Sequence, residues 1–97
     1  MNQVVTDIRR GIEILKRDGW SQGRYTAPDG SHCMIGAIRE GIYESPREAR
    51  GARLHQVITT VRFYLDKTSA EWNDQKGRTV EEVLSTLEQI AQIEENK

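Results

Sequence analysis

At 97 residues the chain has room for one domain. Hydrophobic residues make up 36% and charged ones 30%, with a net charge of −1 and a pI near 6.1, a balance that suits a soluble helical domain and argues against a strongly basic nucleic-acid footprint. No apolar run approaches the ~20 residues needed to cross a bilayer, and Met1 to Ile8 lacks the charged and apolar regions of a signal peptide.

Val4, Val5, Ile8, Ile12 and Leu15 share one helical face, predicting a first helix over about residues 4–18 that Asp18-Gly19 stops. Gly11 inside it implies either the close passage of another backbone or a tolerated glycine costing about 1 kcal/mol. Residues 20–31 form a loop holding Trp20, Gly23, Tyr25 and the turn Pro28-Asp29-Gly30. Two aromatics in a polar loop imply that it folds back over one end of the body. Arg24-Tyr25-Thr26 has some β character without amounting to a strand.

Ser31 is the expected N-cap of a second helix over about 32–42. Cys33, Ala37 and Gly41 fall on a seam of small residues with Gly36 beside it, so this helix is expected to be central and most buried, with Gly41 near its end. Ser45-Pro46-Arg47-Glu48 combines an N-cap, proline at the first helical position and glutamate two further on, opening a third helix over about 46–66 with Leu54, Val57, Ile58, Val61 and Leu65 inward. Residues 66–71 read as a polar connection. Thr79-x-x-Glu82 is a capping box for a last helix over about 80–94, whose stripe is Val80, Val83, Leu84, Leu87, Ile90 and Ala91. The fold class is therefore all-α: a compact, somewhat irregular four-helix bundle with a long aromatic loop between the first two helices.

The densest group of special residues lies between the last two of these helices: Trp72-Asn73-Asp74-Gln75-Lys76-Gly77-Arg78-Thr79. Trp-Asn-Asp, two residues, Gly-Arg-Thr, two residues and Glu-Val, together with Gly19-Trp20, Gln22-Gly23 and Cys33-Met34-Ile35-Gly36-Ala37, resembles DUF6197, a family of small bacterial and phage proteins of unknown function. The resemblance spans roughly residues 5 to 92 and departs at Lys76, where the family often has proline. It implies a fold and a set of special positions, and no activity.

Two readings of the Trp-Asn-Asp stretch follow from its residue types. In one, Asn73 and Asp74 bond backbone amides, Arg78 pairs with an acid, and the two tryptophans form a small second core. In the other, Trp20, Trp72, Asn73, Asp74 and Arg78 are a binding surface, because tryptophan and arginine make good anchors. Arg39, Arg47, Arg50 and Arg53 offer an alternative, a nucleic-acid face on the third helix. Cys33 has only His32 and His55 as prospective bases, and a free buried cysteine is usually a small hydrophobe. His32, Cys33, His55 and scattered acids lack metal-ligand spacing, and no phosphate loop is present.

No enzyme activity, cofactor or metal is therefore expected. A single cysteine without an export signal points to the reducing cytoplasm. Charge is uneven: residues 1–67 carry 11 Lys/Arg against 8 Asp/Glu, and residues 68–97 carry 3 against 7, neither extreme enough to name a partner. The expectation is a small cytoplasmic binding or regulatory module acting through protein contacts, with a phage or mobile-element setting suggested by analogy alone. The alternative is a nucleic-acid-binding accessory protein. Self-association is left open, and no membrane role is expected.

Overall fold

A computed structural model describes residues 2–45 and 49–97. These form five helices: α1 (Gln3–Asp18), α2 (Met34–Glu44), α3 (Arg50–Leu65), α4 (Ser69–Asn73) and α5 (Val80–Glu95). The body measures 33 × 27 × 19 Å, with α1 packed on α2, α3 and α5. The class is all-α as expected, with one helix more than the four predicted. None of the helices is long and apolar enough to cross a membrane.

Asn2 caps α1, its Oδ1 accepting from the Val4 and Val5 amides, and Gly19 at φ +94° ends it with an N–H to the Leu15 carbonyl. The predicted stripe is buried in full, and Ile14 is buried as well. A single stripe is too narrow for α1, because α2 and α5 cover different parts of its surface. The Gly11 ambiguity resolves as a close approach: an added Cβ would stand 2.4 Å from Ile38 Cγ1 and 3.1 Å from Ile38 Cα.

The start and end of α2 both depart from expectation. Ser31 does not cap it, because Asp29 captures Ser31 first: Asp29 Oδ1 accepts from both the Ser31 amide (3.0 Å) and its hydroxyl (2.6 Å). Cys33 takes the N-cap position, with Sγ accepting from Gly36 N at 3.3 Å. Gly41 does not end the helix, which continues to Glu44. Met34 to Ile38, Gly41 and Ile42 are all buried, so α2 is the central helix.

The connection 19–33 is held by short backbone bonds rather than strands, including Ser21 N to His32 O (2.9 Å) and Cys33 N to Tyr25 O (3.3 Å). The second of these presses the loop onto α2. A Cβ on Gly36 would lie 1.9 Å from Tyr25 O, a backbone atom that cannot swing aside. Gly36→Ala is expected to lower stability by about 1–3 kcal/mol, as for other overpacked sites, and to loosen the loop. A urea midpoint equal to that of the parent would show that the loop can lift off without loss.

The expected opening of the third helix at Pro46-Arg47-Glu48 lies outside the described residues, but its expected cap, Ser45, instead ends α2, and α3 begins at Arg50 rather than near 46, with Ala49 at φ +60° as N-cap. Only Val57 and Val61 are fully buried on α3, while Leu54, Ile58 and Leu65 are half-buried against the core. Of the polar connection predicted over 66–71, residues 66–68 connect α3 to α4 and residues 69–71 begin α4. Thr68 and Glu71 form a reciprocal capping box, and the helix stops after five residues.

The α5 box is present as expected. Thr79 Oγ1 accepts from Glu82 N at 3.2 Å and Glu82 Oε1 from Thr79 N at 3.0 Å, which holds the Glu82 carboxyl below the usual range. Val83, Leu87, Ile90 and Ala91 are buried, and Val80 and Leu84 half-buried. Thr79→Ala is expected to cost about 1 kcal/mol. An unshifted denaturation midpoint would place the helix start elsewhere.

Candidate functional site

Asn73, the last residue of α4, is fully buried and uses its whole amide. Its Oδ1 accepts from Trp20 Nε1 at 2.7 Å and from Met34 N at 3.0 Å, and its Nδ2 donates to Ser21 O at 3.1 Å and to Asp74 Oδ1 at 2.9 Å. One side chain thus ties the 19–33 loop, the first turn of α2 and the end of α4. The Met34 amide is one of the first-turn donors of α2 that helix geometry leaves without an internal partner. Full burial removes Asn73 from any contact surface and corrects its place among the candidate binding residues.

The neighbours of Asn73 complete the knot. Asp74 Oδ1 also accepts from Gly23 N at 2.9 Å, and Gly23 has φ +88°. Gln22 Nε2 donates to the carbonyls of Asn73 (3.0 Å) and Gln75 (3.1 Å), a clamp that the Gln-Gly pair marked by position but not by role. Arg78 donates through Nε to Trp72 O (2.9 Å), pairs with Glu82 (3.2 Å) and bonds Gln75 Oε1 (2.7 Å). Its guanidinium lies 3.7 Å from the centre of the Trp72 ring, covering one side of it. Trp20 and Trp72 are half-buried and pack against the main core. Asn73, Asp74 and Arg78 thus bond as the first reading of the stretch expects.

Beside the knot lies a pocket of about 360 Å³ lined by Gly23, Arg24, Tyr25, Cys33, Ala70 and Asp74. Tyr25 is 55% exposed at its edge. Cys33 is buried, and burial pushes its thiol pKa up, opposite to what a nucleophile needs. Thiol labelling of the native protein is expected to be slow and to accelerate in denaturant. Fast labelling of native protein would mean that Cys33 opens to solvent.

His32, next in sequence to Cys33, is buried and engaged at both ring nitrogens: Nε2 lies 2.9 Å from Asp18 Oδ2 and Nδ1 2.9 Å from Thr26 Oγ1. Asp18 is held well below the usual carboxylate range, first by Arg17 and then by His32. The Arg17 guanidinium continues to Glu44, so this cluster fastens the end of α1 to the end of α2. His55 lies exposed on α3. No group of three or more His, Cys, Asp or Glu side chains that could hold a metal occurs among the described residues.

The arginines of the alternative surface are dispersed. Arg53 turns inward, its side chain 10% exposed, and pairs with Asp7 at 2.7 Å. Arg47 lies outside the described residues. Arg39 on α2 and Arg50 on α3 remain exposed, their guanidiniums 5.3 and 5.7 Å from the Tyr43 ring centre. The i, i+3 spacing of Arg50 and Arg53 therefore does not make a single basic row.

Taken together, the Asn73 knot, the Gly36 contact with the loop and the Thr79 box give structural roles to each of the motifs that carried the family resemblance. No curated protein and no solved structure matches the chain. The model of the family of unknown function DUF6197 matches residues 1–93, and the chain belongs to that family.

Proposed function

We propose that this chain is a small binding module acting through protein contacts, with the pocket between the Gly23–Tyr25 segment and α4 as its working surface. One observation carries the reading: the pocket wall is pre-set. Gly23 is fixed by Asp74, Asp74 by Asn73, and the Tyr25 carbonyl by the Cys33 amide, so little ordering cost remains when a partner docks. Tyr25 supplies an exposed aromatic and Arg24 an exposed guanidinium, both residue types favoured at interface anchors. Trp20, Trp72 and Arg78 are not among its lining residues, and Trp20 is linked to it through Asn73 and Asp74.

A protein partner that inserts a small apolar side chain beside Tyr25 fits this pocket. An enzymatic role draws no support from a thiol whose pKa is raised and a histidine held between Asp18 and Thr26. A single cysteine is suited to the reducing cytoplasm, where we place the module. A phage or mobile-element setting rests only on analogy.

The test fills the pocket without touching the knot. Ala70 is exposed on α4, and Ala70→Gln puts a bulkier neutral side chain into the opening. In cross-linking from host extract, a protein captured by the parent should be lost with Ala70→Gln and with Arg24→Ala, at unchanged circular dichroism. Identical capture by all three would overturn the assignment of this surface.

A further inference from the structure

We infer a second surface, adjoining the pocket at Tyr25: a strip running Tyr25–Arg39–Tyr43–Arg50 that binds single-stranded nucleic acid. One guanidinium joins the two tyrosines: Arg39 Cζ lies 5.6 Å from the Tyr25 ring centre and 5.3 Å from that of Tyr43. Arg50 adds a second cation 5.7 Å from Tyr43. Both rings are well exposed, Tyr25 at 55% and Tyr43 at 45%.

Four arginines, Arg24, Arg39, Arg50 and Arg62, make no ion pair among the described residues, and two of them lie in this strip. Arg9, Arg10, Arg17, Arg53 and Arg78 each pair with an acid. Arg39 makes no ion pair among the described residues, and Arg50 bonds only the Ser45 carbonyl there. The acid nearest in sequence to Tyr43, Glu44, is already bound by Arg10 and Arg17, which holds its carboxyl below the usual range. Two exposed guanidiniums without an acid partner among the described residues, set beside aromatic rings, therefore offer N–H donors to phosphate, although Arg50 keeps Nη2 on the Ser45 carbonyl.

The exposed rings select the class of polyanion. An acidic peptide would use the guanidiniums and leave the rings idle, whereas an unpaired base can stack on an aromatic face or on a guanidinium plane. A duplex keeps its bases inside and offers phosphates alone. The strip has no arrangement of base-reading donors, so binding tolerates sequence and does not distinguish RNA from DNA. Near-neutral net charge limits the affinity to the local contacts.

The probe is a fluorescently labelled oligothymidine or oligouridine of about twelve nucleotides, within the range of single-strand site sizes, followed by anisotropy as salt rises from about 50 to 200 mM. Two phosphate contacts predict a log–log salt slope of about −1.4. Arg39→Glu combined with Arg50→Glu should abolish binding, and Tyr43→Ala should weaken it by roughly fivefold or more through lost stacking. These residues are exposed, so circular dichroism should not change. Ala70→Gln, which tests the protein-binding pocket, should leave oligonucleotide binding intact, and the strip variants should leave pocket-dependent capture intact. Absence of salt-sensitive binding, full binding by the Arg39/Arg50 double variant, or equal affinity for a polyglutamate peptide would each overturn the assignment.

Discussion

Asn73→Ala is expected to destabilise the protein by about 3–5 kcal/mol, although the change removes only a few atoms. The Trp20 indole N–H and the Met34 amide would lose their common acceptor, and the Ser21 carbonyl its donor. Each buried polar group left without a partner costs about 1–3 kcal/mol. The loss is a large part of the stability of a small domain, about 5–15 kcal/mol. Asn73→Asp keeps the acceptor but loses the donor, and sets a second carboxylate beside Asp74, so it should be poorly tolerated too. Urea denaturation followed by far-ultraviolet circular dichroism gives the number, and tryptophan emission reports the release of Trp20. A cost below about 1 kcal/mol would mean that water replaces the amide at the knot.

How much of this arrangement is legible in the sequence depends on the distance over which each residue finds its partner. The stripes of α1 and α5 and the Thr79-x-x-Glu82 box are local, and the folded chain keeps them. Thr68-x-x-Glu71 is the same box as that of α5, but no apolar run follows it, because α4 lasts only five residues. Such a short helix offers no period to detect. Ser31 looks like a cap until Asp29, two residues before it, is seen to hold its amide and hydroxyl.

The Trp-Asn-Asp stretch shows the same divide. Its density of turn formers and its resemblance to DUF6197 single out the right positions, and the expectation that Asn73 and Asp74 bond backbone amides agrees with Met34 N and Gly23 N as donors. The depth of Asn73 could not be read, because asparagine is usually exposed and all its partners but the neighbouring Asp74 lie 39 to 53 positions away. Tyr25 signals in the sequence only that its loop folds back, and Tyr43 carries no signal beyond being aromatic. Arg39 brings them together only once the loop is folded over α2.

Arg53 is the clearest case of tertiary structure overriding helical spacing, and its replacement carries the other large expected effect. It joins Asp7 through Nη2 to Oδ1 at 2.7 Å and Nε to Oδ2 at 3.3 Å, in the two-pronged geometry that arginine favours. Asp7 is only 3% exposed, on the buried side of α1. Arg53→Leu would leave that carboxylate with Gln3 Nε2 at 3.0 Å as its remaining side-chain donor among the described residues. Breaking a buried pair from one side typically costs about 3–5 kcal/mol, so the midpoint of unfolding should fall steeply. Arg53→Lys keeps the charge but loses the fork, and should fall between. The informative variant is the double replacement, Asp7→Leu with Arg53→Leu. The native pair is itself incompletely satisfied, because Arg53 Nη1 is buried without a hydrogen-bond partner among the described residues. Removing both charges eliminates that cost along with the attraction, and well-packed apolar replacements of buried pairs are often neutral or stabilising. The double variant should therefore recover most of the stability that Arg53→Leu loses. A double variant as unstable as the single one would show that the ion pair contributes net stability where α1 meets α3, rather than specifying how the two helices meet.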